Sequence, residues 1–410
     1  RMRASPGRPG SRIKRFIVDA VLEPLIPLRR IESYVLFWAR AVVAARKPFI
    51  IGVTGSVGKS TTTAMIAAVL AHPDARPIVG RVGCTSDNMN DDVGLAATLL
   101  HFTGLSTLPW AYHSRLWVLC VTPLLALRAA LGRYPKVMVL EFGVGSTADL
   151  HRMVTIARPS VSVVTRIGAA HLEKLKTLQG VVHEKSALVR AVPRSGLVVL
   201  GEDHDSVAQL EQAAVAPVVR VPGKGMELSR NITGVVCAHL GIPQHAIQAA
   251  LADFKPPQRR LHKLDFRCMT VIDDTYNANP MSMKLGLDTL FESAHPRRRR
   301  VAILSYMGEL GDDAARYHQE VGVYARDRAH VVIGVGELAE HYSPDFWFPT
   351  SEACAGQIES LLCFGDCVLV KGSASARMEQ VVRKLSEVAA KPDTAALRAG
   401  FDLGPVQSLR

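Results

Sequence analysis

The residues most able to do chemistry are Thr54, Gly55, Ser56, Val57, Gly58, Lys59, Ser60 and Thr61, in unbroken order. They follow an apolar run and open a helical pattern, the setting a phosphate-binding loop requires. Gly55 and Gly58 let the backbone curl and turn N–H groups toward phosphate oxygens, and the helix start adds a favourable dipole. Lys59 would offset β/γ-phosphate charge, and the Ser60 hydroxyl could ligate Mg²⁺. Val53 stands where the usual pattern has its first glycine. Glu141 ends a second apolar run, where a carboxylate beside a phosphate loop serves as a metal ligand; alone, it reads equally as a surface glutamate. His171 follows a third run at the same sheet end, as a metal ligand or a satisfied structural histidine. Lys185, taken alone, is a helix-surface lysine.

Elements must bring these groups together. Apolar runs at 49–53, 136–140, 160–164 and 196–200 read as buried strands with helical patterns between them. That alternation predicts a mostly parallel sheet with helices on both faces. A second series begins near residue 260, with strands at 270–272, 301–304, 331–335 and 368–370 and helices at 281–293, 312–328 and 376–390. Pro256-Pro257 marks a boundary just upstream. The arginine run 297–300 reads as a solvated loop. Residues 1–12 read as a flexible tail, and 13–46 as helical with breaks at Pro24 and Pro27.

At 410 residues the chain suggests two or three domains, and 48% hydrophobic with 21% charged residues excludes wholesale disorder. The net charge of +12 points toward nucleic acid until it is mapped. Residues 1–47 hold 11 basic and 3 acidic residues, a net +8; the remaining 363 carry only +4. Nucleic acid is therefore not an expected partner. The seven cysteines lack zinc spacing, and their odd number points to free thiols in a reducing compartment. No cleavable signal segment is expected. The apolar stretches 34–45 and 116–127 are too short to span a bilayer. The first, with its basic residues and Phe37/Trp38, could instead be an interfacial helix on anionic lipid.

Further stretches carry a family resemblance. Asp273-Asp-Thr-Tyr-Asn-Ala-Asn-Pro280-Met-Ser282, Met307-Gly-Glu-Leu-Gly311 followed by His318, Lys371-Gly-Ser373 with Met378-Glu379, and Asn88-Met-Asn90 with Gly94 join the phosphate loop in order. Together, over about 49–390, they resemble the Mur ligases, ATP-dependent amide-bond ligases of peptidoglycan assembly. Tyr-Asn-Ala-Asn-Pro points to the muramoyl-tripeptide:D-alanyl-D-alanine ligase (MurF) branch. The resemblance implies an α/β fold. A P-loop central domain with a mostly parallel sheet would cover 49–258 and a Rossmann-like C-terminal domain 259–392. A helical basic segment at 1–48, an added helical stretch at about 101–134 and a tail at 393–410 would complete the chain.

The resemblance also implies roles. Residues 54–61 would hold ATP phosphate and Mg²⁺, with Glu141 and His171 as magnesium ligands. Lys185 matches a lysine carbamylated in relatives, where it becomes an anionic ligand of a second metal. Lys59, Glu141, His171 and Lys185 form the implied catalytic set. Arg260, Asp274, Tyr276, Asn277 and Asn279 would contact nucleotide, Asn88 and Asn90 would lie near substrate, and Glu309, His318, Lys371 and Ser373 near the substrate's acceptor amine or the domain interface. The implied reaction activates a carboxylate as an acyl phosphate for attack by an amino acid or dipeptide amine, in the cytoplasm or at the inner face of the membrane. The family's N-terminal UDP-sugar domain is expected to be missing, so an unusual carboxylate is expected. The competing reading is a non-catalytic or regulatory nucleotide-binding homologue; keeping all four catalytic residues weighs against it. A P-loop kinase or GTPase leaves the second series of motifs unexplained.

Overall fold

A computed structural model describes residues 28–86, 89–101, 115–145, 147–202, 205–295 and 298–390. The expectations for 1–27, Asn88, 102–114, Arg297 and the 391–410 tail lie outside those residues.

Among the described residues the first helix is α1 (Leu28–Arg46), which buries Ile31, Val35, Ala39 and Val42 along one side. Two residues later β1 (Phe49–Thr54) begins, followed by α2 (Lys59–Leu70), β2 (Val82–Cys84), α3 (Asp92–Leu99), α4 (Arg115–Leu131) and β3 (Val137–Glu141). Then come α5 (Asp149–Ile156), β4 (Val161–Val164), α6 (Leu178–Ala191), β5 (Leu197–Gly201), β6 (Val218–Val221) and α7 (Gly225–His239). The strands form one six-stranded sheet ordered β2-β3-β1-β4-β5-β6, and every pairing is parallel. Its central strands are buried end to end because helices cover both faces, so each reads as an unbroken apolar run.

The second unit runs β7 (His262–Asp265), β8 (Thr270–Asp274), α8 (Pro280–Ser293), β9 (Arg300–Ser305), α9 (Ala314–Arg326), β10 (Val331–Val335), β11 (Phe346–Phe348), α10 (Ser351–Leu361), β12 (Cys367–Lys371) and α11 (Glu379–Ala389). Its six-stranded sheet has the order β11-β10-β9-β12-β8-β7, parallel except where β7 pairs antiparallel with β8.

The eight anticipated strands all form, within two residues at either end. Those not anticipated, β2, β6, β7 and β11, sit at or near sheet edges, are three or four residues long and are partly exposed. They carry no apolar run to read. The arginine run departs from its solvated-loop reading. Arg299 makes a two-pronged pair with Asp366, at 2.9 and 2.7 Å, and the Asp366 side chain is 1% exposed. Arg300 opens β9 and lies over the Phe291 ring.

Candidate active site

β1 lies between β3 and β4, so the chain departs to both sides of it and a crevice opens at the carboxyl ends of the strands, where open α/β sheets bind ligands. The loop leaving β1 crosses that crevice. Gly55 has φ +148°, and a Cβ there would overlap the Thr165 hydroxyl; Gly58 caps α2 in the left-handed region at φ +87°. The loop is sewn to the turn after β4. Ser56 N–H donates to Arg166 O (2.6 Å), Ser56 Oγ donates to Gly168 O (2.9 Å), and Thr165 Oγ1 donates to Val57 O (2.6 Å). Thr54, fully buried, donates its hydroxyl to Phe142 O at 2.8 Å and ties the loop's base to the chain leaving β3.

Two lysines converge on this loop. Lys59 Nζ and Lys185 Nζ each donate to Gly55 O at 3.0 Å. Lys185 projects from α6 and is completely buried, which corrects its plain reading as a surface lysine. Burial pushes its pKa well below the usual lysine value, and Lys59 pushes the same way; Glu184 and Glu141 oppose. Lys59 is also lowered by burial, with Glu141 opposing and Arg260 assisting.

Glu141, the last residue of β3, accepts a hydrogen bond from the Ser60 hydroxyl on one oxygen and from Asn90 Nδ2 (2.9 Å) on the other. These are hard oxygen donors, the type magnesium prefers. Among the described residues no group of three or more His, Cys, Asp or Glu side chains could hold a metal ion. That fits an ion held by one or two protein oxygens plus phosphate and water, and does not fit a closed protein cage. His171 lines the same cleft, but its Nδ1 meets the Glu309 carboxylate of the second unit, which lowers the Glu309 pKa.

The second unit closes the cleft. Asn279 caps α8 in a capping box with Ser282, with Pro280 at the first helical position, and its Nδ2 donates to Ser56 O at 3.1 Å. Arg260 stacks over the Tyr276 ring at 3.7 Å. Lys371, its side chain 1% exposed, pairs with Asp274 (2.6 Å) and donates to Asn277 O (2.9 Å). The resulting cleft, about 330 Å³, is lined by Ser56, Val57, Gly58, Lys59, Thr61, Asn90, Glu141, His171, Arg260, Asp274, Tyr276, Asn277, Asn279 and Lys371.

Glu309, His318 and Ser373, anticipated near the acceptor amine or the domain interface, are absent from that lining. His318 is fully buried; its Nε2 accepts from Met307 N–H (3.0 Å) and its Nδ1 donates to Ala314 O (2.6 Å), so both ring nitrogens are used in holding the loop that carries Glu309. Burial lowers its pKa, consistent with a neutral ring. Ser373 is absent from the cleft lining, and its hydroxyl meets that of Ser375 at 3.1 Å. Sequence reasoning missed Arg259, Thr165 and Arg166. Arg259, at φ +63°, reaches Thr275 and Glu379 and shapes the turn that presents Arg260. Thr165 and Arg166 carry the seam under the phosphate loop, where their position after a strand was the one available signal.

Fold and site thus define a P-loop α/β protein whose second α/β unit caps the phosphate loop. The Mur ligase middle domain matches residues 53–107 and 122–232, and the Mur ligase glutamate ligase domain matches 259–374. The chain belongs to the Mur ligase family. It is 31% identical over 316 residues to the UDP-N-acetylmuramoyl-tripeptide–D-alanyl-D-alanine ligase of Mycobacterium tuberculosis, covering 67% of this chain and 55% of that protein. To the Escherichia coli K12 enzyme of the same name it is 25% identical over 403 residues, covering 85% and 79%. The chain thus spans about half the length of the mycobacterial relatives it matches. Among solved structures, MurF of Thermotoga maritima in complex with ADP superposes with a TM-score of 0.71 at 19% identity, covering 87% of this chain and 84% of that one. MurF of Acinetobacter baumannii superposes at 0.70 and 20% identity, covering 87% and 80%. These likenesses show the fold.

Proposed function

We propose that this protein is an ATP-dependent, ADP-forming amide ligase of the MurF type. It would join the carboxylate of a cell-wall or related precursor to the amine of an amino acid or dipeptide. The observation that carries this reading is the convergence of Lys59 and Lys185 on Gly55 O, under the phosphate loop, beside a cleft that Lys59 lines and the second unit caps. A chain that only bound nucleotide would have no use for a second lysine, completely buried and driven toward its neutral form.

The loop's glycines and α2 N-terminus would cradle ATP phosphates, with Lys59 offsetting their charge. Ser60 and Glu141 would hold magnesium, which would further offset that charge. His171 has its Nδ1 on the Glu309 carboxylate, which leaves Nε2 as the nitrogen that would ligate the metal. Burial lowers the Lys185 pKa and so favours the neutral amine, the form that would react with carbon dioxide to give a carbamate anion. Arg260 and Tyr276 form a flat platform at the cleft wall for the nucleotide. In the reaction, a carboxylate oxygen attacks the γ-phosphorus and the bond to the bridging oxygen breaks, releasing ADP. The amine nitrogen then attacks the acyl carbon, phosphate leaves with the bonding pair, and the amine loses a proton. Capping by the second unit would keep water from the activated acyl group. ATP as co-substrate and seven free cysteines support work on the cytoplasmic side.

The test is ADP release with ATP and Mg²⁺ across a panel of carboxylate and amine pairs. Amine-dependent release with an amide product supports the reading. Nucleotide binding without turnover on any pair, unchanged in Lys185→Ala, overturns it in favour of a regulatory nucleotide-binding role.

A further inference from the structure

Helices α1 and α4 form a pair on one side of the first sheet. Tyr34 Oη donates to Leu119 O (3.0 Å), and twelve residues on, Arg46 Nη1 donates to Ala130 O (3.3 Å). Tyr34-to-Arg46 and Leu119-to-Ala130 are nearly equal steps, so the helices lie parallel and in register. Their inner sides fill the core with Val35, Ala39, Val42, Val118, Ala126 and Ala129. The outer side of α4 is inverted relative to a surface helix: Leu124, Leu127 and Leu131 are 65, 55 and 77% exposed, on one stripe. On the partner helix α1, Phe37 is 60% exposed. Among the described residues, scattered exposed apolar side chains are ordinary; a stripe of three exposed leucines on one helix is not.

Charge identifies what covers it. The two helices carry six basic residues, Arg29, Arg30, Arg40, Arg46, Arg115 and Arg128, against the single acidic Glu32. A second copy would bring two segments of net +8 together, which is repulsive; an anionic bilayer surface complements both the leucines and the charge. We propose that the exposed α1/α4 side is a docking surface for an anionic lipid bilayer, with Phe37, Leu124, Leu127 and Leu131 entering the interface and the exposed Arg30 and Arg128 on headgroup phosphates. Among the described residues no helix is long and apolar enough to cross a membrane, so docking is peripheral. This inference stands independently of the ligase reading.

The experiment is co-sedimentation of the full chain with vesicles of phosphatidylcholine alone or mixed with phosphatidylglycerol. The chain should pellet with the mixed vesicles, less at high salt, and little with phosphatidylcholine. Leu124→Ser/Leu127→Ser/Leu131→Ser should weaken binding at least about tenfold. Its thermal midpoint should hold, since these side chains are exposed. Phe37→Ser alone should weaken it less, and Val323→Ser, exposed on the second unit, should change nothing. Equal pelleting of wild type and triple variant overturns the proposal, as does absence of any preference for the anionic vesicles. So does a lipid-free dimer of the wild type that the triple variant dissociates.

Discussion

At the scale of single residues, Lys185 illustrates how burial makes a side chain reactive. Its amine is desolvated, sits beside another lysine and rests on one carbonyl, so the folded state favours the neutral form. A lysine whose folded pKa lies below its unfolded one binds fewer protons folded than unfolded. Stability then rises with pH across the window from the lowered value to about 10.5. Lys185→Met keeps the volume and removes the desolvation cost, at the loss of one hydrogen bond. In carbonate-free buffer at pH 7 the variant should be more stable than wild type by on the order of 1 kcal/mol. That advantage should shrink as pH rises toward 10, while ADP release falls by about a hundredfold or more. Thermal unfolding at a series of pH values checks it; an advantage independent of pH would show that desolvation of the charged amine is not the cause.

At the scale of elements, α4 contains Pro123, which has no N–H to give the carbonyl four residues back. That carbonyl is Leu119 O, and the acceptor freed by proline receives the Tyr34 hydroxyl from α1. The hydrogen bond thus both repairs the helix and fixes the pair. Tyr34→Phe keeps the ring packed and orphans the carbonyl, and should cost about 1–2 kcal/mol in urea unfolding; a cost near zero would mean water reaches Leu119 O. Sequence could not reveal this, because Tyr34 and Leu119 are 85 positions apart. It could reveal the central strands, whose burial on both faces leaves continuous apolar runs, and the phosphate loop, whose glycines are demanded locally by backbone geometry. The edge strands stayed hidden because half-exposed strands of three or four residues leave no periodicity to read. Site residues were legible where position after a strand determines placement, as with Glu141. What sequence could not reveal is the burial that tertiary packing decides, as with His318 and with Arg299 of the run read as a solvated loop.

At the scale of the whole molecule, the cleft is made by two units that meet through few contacts near the phosphate loop. They include Asn279 to Ser56 O, the His171–Glu309 pair, Glu173 N–H to Glu309 O (3.0 Å), and Met281 packed against Gly168. A ligand filling such a cleft binds the closed form better than any open one, so its binding energy appears as stabilisation of both units together. ATP with Mg²⁺ at a hundred times the dissociation constant should therefore stabilise the entire chain by about 2.7 kcal/mol, seen as a rise in one shared thermal midpoint. Lys59→Ala should abolish the rise. Asn279→Ser separates the bridge from the helix it caps: serine still caps α8, so the ligand-free midpoint should hold, but the donor to Ser56 O is lost. One hydrogen bond of about 1 kcal/mol shared between the units should weaken apparent ATP affinity roughly fivefold. Calorimetric titration measures that directly, and wild-type affinity in Asn279→Ser would mean that the bridge contributes nothing to closure over the nucleotide.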